Sequence, residues 1–93
     1  MSTKKLSSPI SIGGEKYYKY LIVWNDIVGD STITDLNDFE NMKTAIIKTE
    51  AYIFKKTKAD IHTFSSYQND DGEVGFGDRN IIPRSVIQSM IRI

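Results

Sequence analysis

The feature that most constrains this chain is the apolar run at residues 20–24, which leads directly into a polar loop. In an extended segment, successive side chains point to opposite faces, and here both faces carry apolar side chains. Such a run is typical of a strand that is covered on both sides. We therefore expect a central strand over residues 17–25, with Trp24 near its end.

The composition bounds both the size and the chemistry of the protein. Its 93 residues make one domain with a small core. Twelve basic and twelve acidic residues cancel, so the chain lacks the basic excess of a DNA-coating protein. Cysteine is absent, which excludes disulfides and thiolate chemistry and fits a reducing cytoplasm. No secretory signal or membrane span is recognisable, so we expect a soluble, cytoplasmic protein.

The chain divides into an arm and a domain. Residues 1–15 are rich in Ser, Lys and Gly and lack periodicity, which predicts a flexible N-terminal arm. Residues 16–93 are then a single small β domain. After the polar loop, Asp35 or Thr34 is positioned to cap a short helix in which Leu36, Phe39 and Met42 recur every three residues. We expect this helix to plug one end of a sheet.

The second half of the chain reads as four more strands. Residues 44–56 predict a long strand that bends near Ala51, and residues 59–67 pair back with it. The pair Asp71-Gly72 predicts a tight hairpin turn. Residues 74–82 return as the next strand, which ends at Pro83 because proline has no amide donor. In the last strand, one face is expected to carry Ile87, Ser89, Ile91 and Ile93.

Five short, strongly curved strands with a single turn before the last one favour a mainly β fold. The expected architecture is a small five-stranded SH3-like or Sm-like barrel, with one short helix after the first strand. An α+β roll is the alternative.

Three segments of the chain also resemble a protein family. They are W-x-D-I-x-G-D-S at residues 24–31, A-Y-I-F-K-K-T-K at residues 51–58, and an ending of the type I-P-x-S-x-I-x-S-I that starts at residue 82. Together they resemble a family of small bacteriophage proteins with no assigned activity, over residues 20–93. The resemblance implies a viral accessory protein that acts on a host molecule. It implies no catalytic residue.

The candidate catalytic and metal-binding patterns are weak. His62 is the only histidine, and its polar neighbours on one strand lie along a line, whereas a nucleophilic triad must converge. The residues around Gly72 do not have the spacing of a calcium loop, so a hairpin turn is the better interpretation. Gly75 and Gly77 precede no helix that could bind phosphate. We expect no catalytic residue, no metal site and no cofactor.

Two polar segments are the candidate ligand-binding site. The first is the loop after the central strand. The second covers residues 79–84, around the end of the expected strand at residues 74–82. The residues are Trp24, Asp26, Asp30, Ser31, Thr32, Arg79, Asn80 and Arg84. Arginine binds phosphate or carboxylate in a bidentate manner, and asparagine reads a base edge. In the competing interpretation, Trp24 belongs to the core and the Asp and Ser side chains satisfy their own loop.

A cluster of tyrosines lies at the start of the expected central strand. Tyr17, Tyr18 and Tyr20 alternate with lysines, a pattern that stacks bases in single-strand binders. Alternate spacing instead places some of these rings in the core. Those left exposed, with Tyr52 and Met90, are candidates for an interface between copies of the chain.

We therefore expect a non-enzymatic phage accessory protein in the host cytoplasm that neutralises a host component. Its partner is either a small signalling nucleotide or a host protein, which would make it a counter-defence protein. The alternative is a nucleic-acid-binding SH3-like or Sm-like module that uses the barrel face with Lys4, Lys5 and Lys16. No membrane partner is expected, and a homo-oligomer fits the exposed aromatic side chains.

Overall fold

A computed structural model describes residues 6–93, so Lys4, Lys5 and the start of the proposed arm lie outside the described residues. The elements are β1 (Ile10–Ile12), β2 (Glu15–Tyr17), β3 (Lys19–Asp26), α1 (Leu36–Glu40), β4 (Ala45–Lys56), β5 (Asp60–Phe64), β6 (Ser66–Asp70), β7 (Glu73–Gly77), β8 (Asn80–Pro83), a 3₁₀ turn (Arg84–Val86) and β9 (Ile87–Arg92). The mainly β prediction is confirmed. No helix among residues 6–93 is long and apolar enough to cross a bilayer.

Five strands form one antiparallel sheet in the order β8-β5-β4-β3-β9, while β1-β2 and β6-β7 form separate two-stranded sheets. The two edge strands of the main sheet are joined by the single turn Arg84–Val86. In a flat sheet they would be four spacings, about 19 Å, apart, whereas the four residue steps of this connection reach about 14 Å. The sheet is therefore curled. Within residues 6–93, β8 and β9 do not pair, so the sheet is open rather than a closed barrel.

The inner face of the curled sheet is aliphatic. Ile22 from β3, Ile61 from β5 and Ile82 from β8 are buried together. Tyr20 and Trp24 pack against them from the same strand as Ile22, as the alternation of β3 predicts. We call this the aliphatic face. The prediction that this segment supplies the central strand is confirmed, since β3 pairs with both β4 and β9.

Two bulges change which side chains face the core. In β9 the pairing with β3 skips one residue at Gln88, and each such shift turns the following side chains to the opposite face. Ile87 and Met90 consequently pack on the aliphatic face. The expectation that Ile87 shares a face with Ser89 and Ile91 is therefore wrong, and Ile91 is exposed.

The bend in β4 is also displaced from its expected position. Its pairing with β5 shifts between Ile53 and Lys55, so the irregularity lies at Phe54 rather than at Ala51. Ala51 is buried, as expected. The bulge accounts for the broken alternation of the sequence, because an extra residue in one strand reverses the facing of those that follow.

The folded part of the chain begins closer to the N-terminus than expected. Residues 10–15 were assigned to the arm, but β1 and β2 form a hairpin. Gly13 and Gly14 both have positive φ in its turn, a conformation that glycine adopts without steric cost. Ile12 is buried. The folded part of the domain therefore begins before residue 16.

The hairpin predicted from Asp71-Gly72 is confirmed. These two residues have φ of 39° and 85° and connect β6 to β7, as in a type I′ turn, in which both central residues have positive φ. The long strands expected on either side are each interrupted, by Ser65 and by residues 78–79. Asp78 also has positive φ, which aspartate tolerates better than most residues. These breaks separate β6-β7 from the main sheet.

The helix forms but does not plug the sheet. Asp35 caps α1 by accepting a hydrogen bond from the Asp38 amide at 2.8 Å. However, α1 has only five residues, and Leu36, Phe39 and Met42 are all exposed. The expected packing against the sheet is therefore wrong. One helical turn in a long connection is too short to bring its apolar side chains back to the core.

Candidate functional site

The outer face of the sheet carries aromatic rings packed around Phe64. They are Tyr17, Tyr52, Phe54, Phe64, Tyr67 and Phe76, and we call them the aromatic cluster. Phe64 is completely buried. Its ring centroid lies between 4.9 and 6.5 Å from those of the other five. These separations are those of stacked and edge-to-face aromatic pairs, which contribute beyond the area that they bury.

Strand register brings the cluster together. Tyr52 is opposite Phe64 in the β4-β5 pair, and Tyr67 is opposite Phe76 in the β6-β7 pair. Cross-strand partners share a face of the sheet, and the Tyr52 and Phe64 rings are stacked with their centroids 5.6 Å apart. The hairpin β1-β2 adds Tyr17. A hydrogen bond of 3.1 Å from the Asn69 Nδ2 to the Ser11 carbonyl joins the two hairpins.

A cavity of about 680 Å³ opens beside the aromatic cluster. This volume falls within the range of small-molecule sites, about 300 to 1,000 Å³. Its lining comes from β4, β5, β7 and β8 with the connection between the last two. The lining residues are Phe54, His62, Thr63, Phe64, Phe76, Gly77, Asp78, Arg79, Asn80 and Ile81. Arg79 and Asn80 are thus the two predicted ligand-binding residues that share this cavity.

The two side chains of the cavity lining that carry a full charge, Asp78 and Arg79, are neighbours in the chain. Asp78, Arg79 and Asn80 follow one another at the bend between β7 and β8. The strand pairing places Lys55 opposite His62, on the same face of the sheet as that cavity residue. An apolar aromatic floor beside a guanidinium and an amide suits a ligand that has both a flat ring and an anionic group.

Arg84, by contrast, is engaged in the fold. Its Nε donates to the Thr57 carbonyl at 2.8 Å, and its amide donates to the Ala59 carbonyl. These bonds fix the 3₁₀ turn against the turn between β4 and β5. Arg84 is not among the residues that line the cavity, so the structure does not bring it to the side of Arg79.

The predicted residues at the end of β3 are also engaged locally. Trp24 packs on the aliphatic face, and its Nε1 donates to the Thr49 hydroxyl at 3.0 Å. The Asp26 carboxylate accepts a hydrogen bond from the next amide, at Ile27. These contacts agree with the interpretation in which Trp24 belongs to the core.

In the polar loop, the Asp30 carboxylate is hydrogen-bonded to groups of the same loop. The Asp30 carboxylate accepts hydrogen bonds from the Thr32 hydroxyl at 2.7 Å and from the Thr32 amide at 2.9 Å. Both hydrogen bonds lower the pKa of Asp30 below its ordinary value of 3.8, and the bond from the Thr32 hydroxyl has the larger effect. Ser31 is exposed between them. Asp30 and Thr32 line a second cavity with α1, and its lining shares no residue with the cavity beside the aromatic cluster.

Sequence reasoning missed most of the cavity. His62, which the sequence places in no catalytic triad, lies in the wall with Phe54, Phe64 and Phe76. The sequence offered little signal for these rings, because only β4 carries two of them, at Tyr52 and Phe54, and the other strands carry one each. The tyrosines before β3 divide as expected: Tyr17 joins the aromatic cluster, while Tyr18 is exposed beneath the Arg92 guanidinium.

Among residues 6–93, no group of three or more His, Cys, Asp or Glu side chains is arranged to hold a metal ion. No protein-family model, curated protein or solved structure matches this chain.

Proposed function

We propose that this chain is a non-catalytic binding protein whose cavity beside the aromatic cluster holds a nucleotide-type ligand. One observation carries the proposal: Arg79 and Asn80 line the same cavity as the exposed part of Phe54. The base stacks on the aromatic side chains, since base stacking on aromatic rings contributes about 1–3 kcal/mol. Arg79 binds the phosphate and Asn80 the base edge.

The proposed fold is a curled SH3-like or Sm-like barrel that is open along one side. Support comes from the strand order β8-β5-β4-β3-β9 and from the 3₁₀ turn that connects the two edges. In this arrangement β6-β7 extends the hairpin formed by β5 and β8. The ligand sits at the break between that extension and the main sheet.

The biological setting is part of the proposal and rests on the sequence resemblance alone. A bacteriophage accessory protein in the host cytoplasm would sequester a host signalling nucleotide and so act in counter-defence. Sequestration needs tight binding and no chemistry, which suits a wall that combines one arginine, one asparagine and aromatic side chains.

The test is a thermal-unfolding screen against mononucleotides, cyclic dinucleotides and short single-stranded oligonucleotides. A ligand present at about a hundred times its dissociation constant adds about 2.7 kcal/mol of stability. Each kcal/mol moves the midpoint of a domain of this size by roughly 4 to 8 °C. One class of small nucleotide should therefore raise the midpoint clearly.

Two arginine variants make the screen specific to the cavity. Arg79→Gln should weaken binding by about ten- to a hundredfold, because a hydrogen bond to a charged group is worth about 1.5–3 kcal/mol. Arg84→Gln is the matched control, and its ligand-induced shift, measured from its own unliganded midpoint, should equal that of the wild type. Equal shifts in both variants would remove Arg79 from the site. A shift with oligonucleotides alone, lost steeply with salt, would favour the nucleic-acid-binding alternative.

A further inference from the structure

The connection between β3 and β4 is a long exposed segment with apolar side chains. Every residue from 26 to 44 is exposed. We call residues 27–44 the β3-β4 segment. Its exposed apolar side chains are Ile27, Val28, Ile33, Leu36, Phe39 and Met42. Ile33 is 102% exposed, Leu36 71% and Phe39 67%. Patches of this kind on a soluble protein mark interaction sites.

The backbone of the segment is nonetheless held in a defined shape. Asp30 binds Thr32, Asp35 caps α1, and the Thr34 hydroxyl donates to Asp38 at 3.1 Å. The Asn41 side chain donates to the Asn37 carbonyl at 2.9 Å, at the end of the helix. The apolar side chains are thus presented on a preformed surface, which lowers the entropic cost of binding a partner.

The chain exposes more surface than a self-sufficient domain of its mass. Its accessible surface is 7313 Å², against about 5,500 Å² for a compact monomer of 10.6 kDa. Its radius of gyration is 17.6 Å, against about 12 Å for a compact domain of this length. The excess surface, about 1,800 Å², is of the size that one or two standard interfaces cover at about 800 Å² for each partner.

The charge of the segment indicates what covers it. It carries four carboxylates and one lysine, for a net charge of −3. Because the whole chain is neutral, the other 75 residues carry +3, of which Lys4 and Lys5 contribute two charges and the described residues +1. Two segments packed against each other would bring like charges together. A segment packed on the remainder of a neighbouring copy would bring opposite charges together.

We propose that the β3-β4 segment is a self-association surface that packs head-to-tail on the body of a second copy of this chain. The apolar side chains of α1 and its flanks are buried in that contact, and the segment's carboxylates face basic side chains of the neighbour. Head-to-tail contacts of this kind generate closed rings when the rotation between copies closes. The surface is separate from the ligand cavity, since the cavities in the two regions share no lining residue.

The test measures mass in solution by sedimentation velocity over a concentration series. The wild type should sediment as a multiple of 10.6 kDa. The double variant Leu36→Asp/Phe39→Asp should sediment as a monomer or associate at least about tenfold more weakly, because it places charge in an apolar contact. Both side chains are exposed, so the far-UV circular dichroism of the variant should match that of the wild type.

Two further variants keep the test falsifiable. Phe39→Leu is the matched control that retains an apolar side chain, and it should remain oligomeric. Glu40→Lys changes the net charge of the segment from −3 to −1 and should weaken association more at low salt than at high salt. If the double variant unfolds, Ile33→Asp takes its place. A wild type that remains at 10.6 kDa at every concentration, or a correctly folded double variant that still assembles, overturns the proposal.

Discussion

The two faces of the curled sheet are built from different side chains and are closed to different degrees. The aliphatic face centres on Ile22, Ile61 and Ile82, which are 0 to 3% exposed. The outer face has one completely buried ring, Phe64, surrounded by rings that remain partly exposed, with Phe54 at 46%. β5 contributes to both faces. A closed face serves stability alone, whereas an incompletely covered face can also receive a ligand.

The largest effects should come from truncating the buried side chain at the centre of each face. Ile61→Ala removes a fully buried aliphatic side chain and should cost about 2–5 kcal/mol, while Phe64→Ala should cost about 3–5 kcal/mol. Urea denaturation measures both. The two variants should differ in ligand binding: the folded fraction of Ile61→Ala keeps the wild-type dissociation constant, and Phe64→Ala loses binding.

Phe64→Leu provides the comparison if Phe64→Ala does not fold, since it leaves a smaller void and keeps an apolar side chain. If Ile61→Ala and Phe64→Leu weakened ligand binding equally at matched stability, the proposed difference in function between the two faces would be refuted. The cavity would then depend on general stability and not on the aromatic cluster.

An intermediate effect should come from the turn of the β6-β7 hairpin. Gly72 has φ of +85°, and Gly72→Ala should cost about 1–2 kcal/mol because a Cβ is unfavourable in that conformation. The hairpin covers the aromatic cluster, so hydrogen exchange should accelerate in β6 and β7 and remain unchanged in β3. Gly29→Ala is the matched control, since a Cβ there meets no atom within 4 Å. Uniform acceleration across the main sheet would mean that the two faces unfold as one unit.

The sequence predicted the parts of the fold that depend on local chemistry. The alternation of β3, the Asp71-Gly72 turn and the stop at Pro83 are each encoded within a few residues. The aromatic cluster is different. Its members are distributed over β2, β4, β5, β6 and β7, and they meet only through strand register. The bulge at Gln88 likewise depends on pairing with a distant strand.

The candidate site was predicted only in part for the same reason: of the eight predicted residues, Arg79 and Asn80 line the cavity beside the aromatic cluster. Arg79 and Asn80 were identified because a polar run between two strands is a common place for binding residues. The other predicted half, around Asp30, has the same polar composition but bonds to itself and lines a different cavity. Residue type alone does not separate a polar loop that binds a ligand from one that satisfies its own backbone.

The smallest effect should come from a variant in the polar loop. This variant tests whether the loop acts independently of both faces of the sheet. Thr32→Val removes the hydroxyl that holds the pKa of Asp30 low and leaves the backbone amide in place, so the pKa should rise part of the way towards 3.8. Because the folded pKa is depressed, the ionised carboxylate stabilises the loop above about pH 4, and this contribution is lost as the pH falls through the lowered pKa. Titration of the Asp30 carboxyl carbon by NMR measures the shift.

Thr34→Val is the control, because the Thr34 hydroxyl bonds to Asp38 and should leave the pKa of Asp30 unchanged. Neither variant should alter ligand affinity if the cavity beside the aromatic cluster is the binding site, since the two cavities share no residue. A fall in affinity for Thr32→Val alone would instead place the ligand at the polar loop. The open aromatic face would then be an incomplete core, and the comparison between the two faces would concern stability only.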